Sequence, residues 1–283
     1  MKNIFSQIII TYNHEDCISR CLDSVLNQSV LADEIIIGDD CSSDKTREIV
    51  KEYQKKYPSI IKLAFHEKNL GIASNLNACI EIAKGNFIGF LAGDDWILDG
   101  KNEKQFEYIN KYSLDYDIFY SDFYKIFENT GVKRINTNLK KNGNLLPYIA
   151  RRLFSLRTFW LKKEYAYKIG LFDKSLYIYE DWHFRLKLAK VAKFKYVPGV
   201  FSVYYVHSKG IHKVKKEIHN ENITKLIDRL NDFQFPLEYI ELVRGSFLRM
   251  NNQNIKAFKI DPLYSIYSLL FKLNYYLVNI FKK

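Results

Sequence analysis

The sequence predicts an α/β fold, a parallel doubly wound sheet with helices on both faces, over residues 1 to about 91. Three observations carry that reading. Residues 8–10, 34–37, 60–65 and 87–91 form short apolar runs rich in Ile and Phe, as strands covered on both faces do. Helical periodicity fills each interval between those runs. Three of the runs end in polar clusters, and the carboxyl edge of an open α/β sheet is where ligands bind.

Taken in order, the first strand gives way to a helix in which Cys17, Ile18, Cys21, Leu22, Val25 and Leu26 recur at helical spacing, with Asp16, Arg20, Asp23 and Asn27 opposite. After the second strand, Ser42 or Ser43 is expected to cap a helix carrying Ile49, Val50 and Tyr53, which Pro58 stops. A third helix over residues 73–84 is expected to end at Gly85 in a left-handed cap. Beyond Asp95, residues 105–112 read as helix, 117–127 as strand and 130–144 as a polar loop. Residues 162–169 and 181–190 read as helices, and 194–206 as one or two strands broken at Pro198-Gly199. From about Ile211 the chain turns helical and basic, which divides it into a domain at 1–210 and an extension at 211–283.

Of 283 residues, 47% are hydrophobic and 16% aromatic, which excludes a disordered chain. The net charge of +11 suits an anionic partner: a nucleotide diphosphate, a nucleic acid or an anionic membrane face. Neither a recognition helix nor an aromatic and basic RNA signature is present, so nucleic acid is not expected. Cys17, Cys21, Cys41 and Cys79 are too few for a disulfide scaffold. Cys17 and Cys21 stand one turn apart without a second pair at ligand spacing, and read as core thiols. The first apolar run is too short for a secretory signal, so a cytoplasmic protein is expected.

The first strand ends in Thr11-Tyr12-Asn13, the second in Asp39-Asp40-Cys41-Ser42-Ser43-Asp44, and the fourth in Gly93-Asp94-Asp95. Adjacent carboxylates repel and resist desolvation, so two acidic pairs on one edge call for a cation or a hydrogen-bonding ligand. Mg²⁺ or Mn²⁺ takes oxygen ligands and completes its shell with diphosphate oxygens. The plainer alternative is that these Asp residues cap helices and make turns. Glu180-Asp181 stands at the start of a helix, where Asp181 can serve as its cap.

The succession TYNHEDCISRCLDSVLNQ, IIIGDDCSSDKT, NLGIASNLNACIEIAKGNFIGFLAGDDW, GLFDKSLYIYEDWHFRLKLA and YYVHSKGI, spread in consistent order over residues 4–211, resembles family 2 of the glycosyltransferases. The resemblance implies the GT-A fold, a Rossmann-like and mostly parallel sheet flanked by helices, with a nucleotide-sugar donor, a divalent metal and inversion at the anomeric carbon. It implies that Asp40, with Thr11 and Asn13 at the end of the first strand, contacts the base of a UDP-type donor. It places Asp94 near the ribose and diphosphate, Asp95 and His207 at the metal, and Asp181 as the general base. Ala92 stands where the family's D-x-D element often has its leading Asp, so metal binding is expected to be weak and to need the donor's diphosphate. Tyr205 stands where family members often have an Arg, and Lys209 or Lys213 is expected to supply that charge. Gly71 permits a turn of positive φ, and Asn77 is expected to bond backbone near the acidic edge. Trp160 and Trp182 are candidates for the floor of an acceptor site or for the core.

The expected function is transfer of a sugar to a hydroxyl of a saccharide or polyprenyl-linked saccharide in surface polysaccharide assembly. The alternatives are a dTDP-sugar donor or a silent scaffold of the same fold. Residues 262–281 are apolar around most of a helical circumference, with Ser265, Ser268, Lys272 and Asn279 in a narrow stripe. That helix must pack on its own domain, on a second copy, or in a membrane interface; peripheral attachment to the inner leaflet is the favoured reading.

Overall fold

The computed structural model describes residues 2–136, 140–153, 157–208, 216–250, 253 and 260–261. Four strands, β1 (Phe5–Thr11), β2 (Glu34–Asp39), β3 (Ile61–Phe65) and β4 (Phe87–Ala92), alternate with α1 (Ile18–Leu26), α2 (Thr46–Lys56) and α3 (Ile72–Ile82). All their pairings are parallel, in the order β3-β2-β1-β4. The period of two along a strand divides the core into two layers. Ile8 and Ile36 pack with α3, whereas Ile9, Ile35 and Ile37 pack with Ile18, Cys21, Leu22 and Val25 of α1.

The remaining strands continue the sheet in mixed orientation: β5 (Trp96–Ile97), β6 (Ile118–Phe127), β7 (Lys133–Asn136), β8 (Phe159–Lys162) and β9 (Phe194–Val206). Strand β8 pairs antiparallel to both β4 and β6, while β9 runs parallel to β6 and antiparallel to β5. Helices α4 (Lys101–Tyr112), α5 (Leu146–Ala150), α6 (Lys163–Lys168) and α7 (Glu180–Val191) cover it. Helices α8 (Lys216–Asp232) and α9 (Leu237–Met250) bury Leu226, Leu230, Ile240 and Val243 in the same core as Leu186 and Phe184 of α7. No helix of the described residues is long and apolar enough to cross a membrane. Residues 262–281, Lys209 and Lys213 lie outside the described residues.

Four local expectations are corrected. The second helix starts at Thr46, and neither Ser42 nor Ser43 caps it, because both hydroxyl residues are engaged with Asp39 and Asn13 in the preceding loop. Gly85 is not a left-handed cap; it is small because a Cβ there would lie 2.5 Å from Ser6 Oγ and 2.7 Å from the Ile4 carbonyl. The stretch 130–144 is not all loop, since Lys133–Asn136 pairs with β6. Strand β9 passes through Pro198-Gly199, absorbing it as register shifts against β6.

Candidate active site

Parallel pairing puts the ends of β2, β1 and β4 side by side, with Thr11 opposite Asp39 and Ile10 opposite both Gly38 and Ala92. The polar clusters therefore meet on one edge. Asp39 is fully buried and points away from solvent: Arg47 of α2 forms an ion pair with it, and Ser42 N donates to it at 2.9 Å. Asn13 takes a left-handed φ of 54° and locks this loop, its Oδ1 accepting from Ser43 N at 2.9 Å and its N–H donating to Ser42 Oγ at 2.9 Å. Asp40 accepts from the backbone N–H groups of Leu70 at 2.7 Å and Gly71 at 2.8 Å. Gly71 has φ +82°, the turn that presents both amides to the carboxylate.

At the end of β4, a Cβ on Gly93 would lie 2.9 Å from both Thr11 Oγ1 and His14 Nδ1, so only glycine lets the next two carboxylates approach β1. Asp94 Oδ2 is 2.9 Å from His207 Nε2, and Asp95 Oδ1 accepts from Tyr205 N at 2.9 Å, which joins the strand edge to the end of β9. Burial, then the charge of Asp94, raises the Asp95 carboxyl well above the ordinary carboxylate range. An open pocket beside this pair is lined by Asn13, His14, Arg20, Glu128, Tyr205 and His207. The Arg20 guanidinium stacks 3.9 Å from the Trp96 ring and 4.6 Å from that of Tyr205. Among the described residues no three His, Cys, Asp or Glu side chains gather as a metal group. Asp94, Asp95 and His207 supply hard oxygens and one imidazole, a donor set that fits Mg²⁺ or Mn²⁺ only if a ligand completes the shell.

Helix α7 begins at Glu180 behind Tyr179, whose φ of 69° makes the cap; Asp181 is thus not the cap but lies in the first turn. Acidic side chains suit that end of the dipole. Glu180 is buried, and burial followed by the Asp181 charge raises its carboxyl. The Asp181 side chain keeps 51% of its exposure; desolvation pushes its carboxyl up, and Arg185, Arg157 and Arg152 outweigh that and lower it. Arg157 links the two acidic sites, because its charge acts on Asp95 as well as on Glu180 and Asp181. The ion pair between Arg185 and Asp181 is an i,i+4 pair open to water, worth about 0.3–0.5 kcal/mol. Its consequence lies in charge rather than in stability.

One further expectation meets a different geometry, and one pair of alternatives is resolved toward the core. Asn77 does not bond at the acidic edge; its side chain accepts from Phe172 N at 3.0 Å and donates to Phe172 O at 2.9 Å, tying α3 to the loop before α7. Trp160 is wholly buried against Phe5 and Phe106, and Trp182 is buried with its indole N–H donating to Ile149 O at 2.9 Å, so both belong to the core. Sequence reasoning missed Arg157, Arg152, Arg20, His14 and Glu128. Only Arg185 left a signal, four residues after Asp181.

The model of the family described as "Glycosyl transferase family 2" matches residues 6–177, more than half of the chain. An uncharacterized glycosyltransferase of Methanocaldococcus jannaschii is 28% identical over 222 residues, 76% of each chain. Chondroitin synthase of Escherichia coli is 26% identical over 243 residues, which are 80% of this chain and 32% of that one. The S. aureus TarS fragment 1–349, solved in complex with UDP-GlcNAc, superposes with a TM-score of 0.72 at 19% identity, covering 89% of this chain and 76% of that one. That likeness shows the GT-A fold. The chain is a transferase of glycosyl groups, and it belongs to glycosyl transferase family 2.

Proposed function

We propose that the chain is an inverting transferase that moves a sugar from a nucleotide-sugar, a UDP-sugar, to a hydroxyl of a saccharide or lipid-linked saccharide in polysaccharide assembly. The observation that carries this is the meeting of the ends of β1, β2 and β4 on one polar edge, where Asp94 Oδ2 lies 2.9 Å from His207 Nε2 and Asp95 accepts from Tyr205 N, with the exposed Asp181 in the first turn of α7. Thr11, Asn13 and Asp40 would receive the nucleoside, and Asp94 and His207 the ribose and diphosphate. The UDP-GlcNAc complex of the TarS fragment supports a UDP-sugar as donor. Asp94, Asp95 and His207 would hold Mg²⁺ or Mn²⁺, which when bound supplies positive charge to the departing diphosphate.

Asp181 is the base in this reading. A sugar hydroxyl is a poor nucleophile, and a carboxylate kept ionised by Arg185, Arg157 and Arg152 can take its proton as the new bond forms. Direct displacement needs one such group, opposite the leaving group, and no covalent intermediate. Glu180, beside Asp181, is buried, and burial with the Asp181 charge raises its carboxyl. Lys209 and Lys213 would add charge at the diphosphate, and residues 262–281 would attach the chain to the inner membrane face.

The test is a panel of UDP-, dTDP- and GDP-sugars scored by thermal stabilisation with and without Mn²⁺, because a ligand of the native state raises Tm with its affinity. The expected result is one metal-dependent hit that is also hydrolysed slowly. No stabilisation by any nucleotide-sugar would refute the reading.

A further inference from the structure

Asp181 stands among more positive charge than it neutralises. Three guanidiniums act on it, those of Arg185, Arg157 and Arg152, and only Arg185 forms an ion pair with it. Arg157 lies flat over Tyr204, its Cζ 3.6 Å from the ring centroid, and its buried Nε has no hydrogen-bond partner. Arg152 is exposed and rests on two aromatic faces, 4.6 Å from the Trp182 ring and 5.7 Å from that of Tyr179. The excess continues onto β6, where the Lys125 ammonium lies 5.5 Å from the Tyr204 ring that carries Arg157. Burial, followed by Arg157 and Arg134, lowers the proton affinity of Lys125, so these cations sit close enough to repel. Glu180 does not offset them, being driven toward its neutral form by burial and by Asp181.

A guanidinium resting on an aromatic ring retains further N–H donors, and these match an oxyanion in a planar, bidentate way. Mutually repelling cations beside an exposed carboxylate are relieved by an anionic ligand. On the donor side Arg20 lies in the pocket with His14 and His207, while Arg157 bears on Asp95 as well as on Asp181. Arg152 and Arg185 belong to the Asp181 side, where the accepting hydroxyl must come.

Resting on the function proposed above, we propose that the acceptor is a polyanionic saccharide or polyol chain, bearing phosphodiester or carboxylate groups, whose oxyanions lie on Arg152, Arg157 and Lys125 while a neighbouring hydroxyl faces Asp181. In the step itself the hydroxyl proton passes to Asp181, the acceptor oxygen bonds to C1, and the C1–O bond to phosphate breaks. The nucleoside diphosphate leaves with that electron pair.

The probes are polyphosphate for the phosphate arm, polygalacturonate for the carboxylate arm, dextran as a neutral chain, and a single-stranded oligonucleotide. Binding is titrated on the full chain, on Arg152→Gln/Arg157→Gln, and on Lys55→Gln/Lys56→Gln, which removes two exposed charges from α2. The expected result is that one acidic chain binds at least about tenfold tighter than dextran and the oligonucleotide. The arginine variant should lose about tenfold, Arg152→Lys/Arg157→Lys should recover part of it, and the α2 variant should stay within about twofold. Because Arg152 is exposed, Arg152→Gln alone serves if the double variant does not fold. Equal loss in the α2 variant, equal binding of the oligonucleotide, or binding no tighter than dextran would overturn the proposal. So would a weakened nucleotide-sugar affinity in Arg152→Gln alone, which would assign that residue to the donor. If the wild-type chain binds no nucleotide-sugar, the functional reading itself fails and takes this one with it; normal donor binding with no acidic preference sinks this one alone.

Discussion

Asp39 and Asp181 show how similar side chains take opposite duties. Asp39 is buried, ion-paired with Arg47 and hydrogen-bonded by Ser42, so its carboxylate holds α2 against β2. Asp181 is open to water at the start of a helix, where a fraction of a kcal/mol is all its ion pair contributes. Replacing Asp181 by Asn should lower kcat by roughly 10²–10⁴-fold while leaving the nucleotide-sugar Kd within about twofold, read by single-turnover transfer and by titration. The lowered proton affinity of Asp181 fixes the sign of the pH dependence: kcat/KM should rise with pH on an acid limb below the ordinary carboxylate range and be flat at neutral pH. Arg185→Gln removes one of the lowering charges and should move that limb upward. Glu180 gives the reverse linkage for stability. Its folded form holds a proton that the unfolded chain releases from about pH 4 upward, so stability falls as pH rises from there until the folded group ionises. Glu180→Gln should flatten that slope in urea titrations taken at several pH values.

Elements position these side chains, and Asn77 of α3 is a joint between two of them. It satisfies both the N–H and the C=O of Phe172, and Phe172 stacks on Phe184 of α7 with ring centroids 3.8 Å apart. Asn77→Ala leaves two buried backbone groups unpaired and should cost about 2–4 kcal/mol in chemical denaturation. Loss of transfer should accompany it, because the start of α7 is held through this contact. The alternation of strands and helices to residue 92 was legible because each element there is long, periodic and separately punctuated. The cap of α2 and the duty of Gly85 were not, since each depends on a partner distant in sequence: Asn13 for the loop before α2, Ser6 and Ile4 for Gly85. The short β7 was hidden in polar residues, because an edge strand exposed on both faces has no apolar period to read. Asp40, Asp94, Asp95 and Asp181 could be singled out because paired carboxylates are conspicuous in any sequence. Arg157 and Arg152 could not, because isolated arginines outside any periodic element look alike until β8, β9 and α7 are assembled around them.

At the scale of the molecule, a parallel half supplies the strand edge, and a mixed half folds back through β8, β6 and β9 to complete the sheet. Helices α8 and α9 extend the core beyond α7, and Arg151 pairs with Asp261 at 2.7 Å, so the described chain remains tied to the body up to that point. Removing residues 262–283 should therefore leave Tm nearly unchanged and abolish sedimentation with vesicles containing anionic lipid; unchanged sedimentation would refute the membrane role. The central claim is spatial, that the acidic edge at Asp94-Asp95 and the carboxylate of Asp181 address the same sugar. A crystal structure of the chain with Mn²⁺ and the nucleotide-sugar identified by stabilisation tests it most directly. The diphosphate should lie against Asp94, Asp95 and His207, with the sugar's C1 facing Asp181. A nucleotide seated away from that edge, or a sugar turned away from Asp181, would contradict the claim.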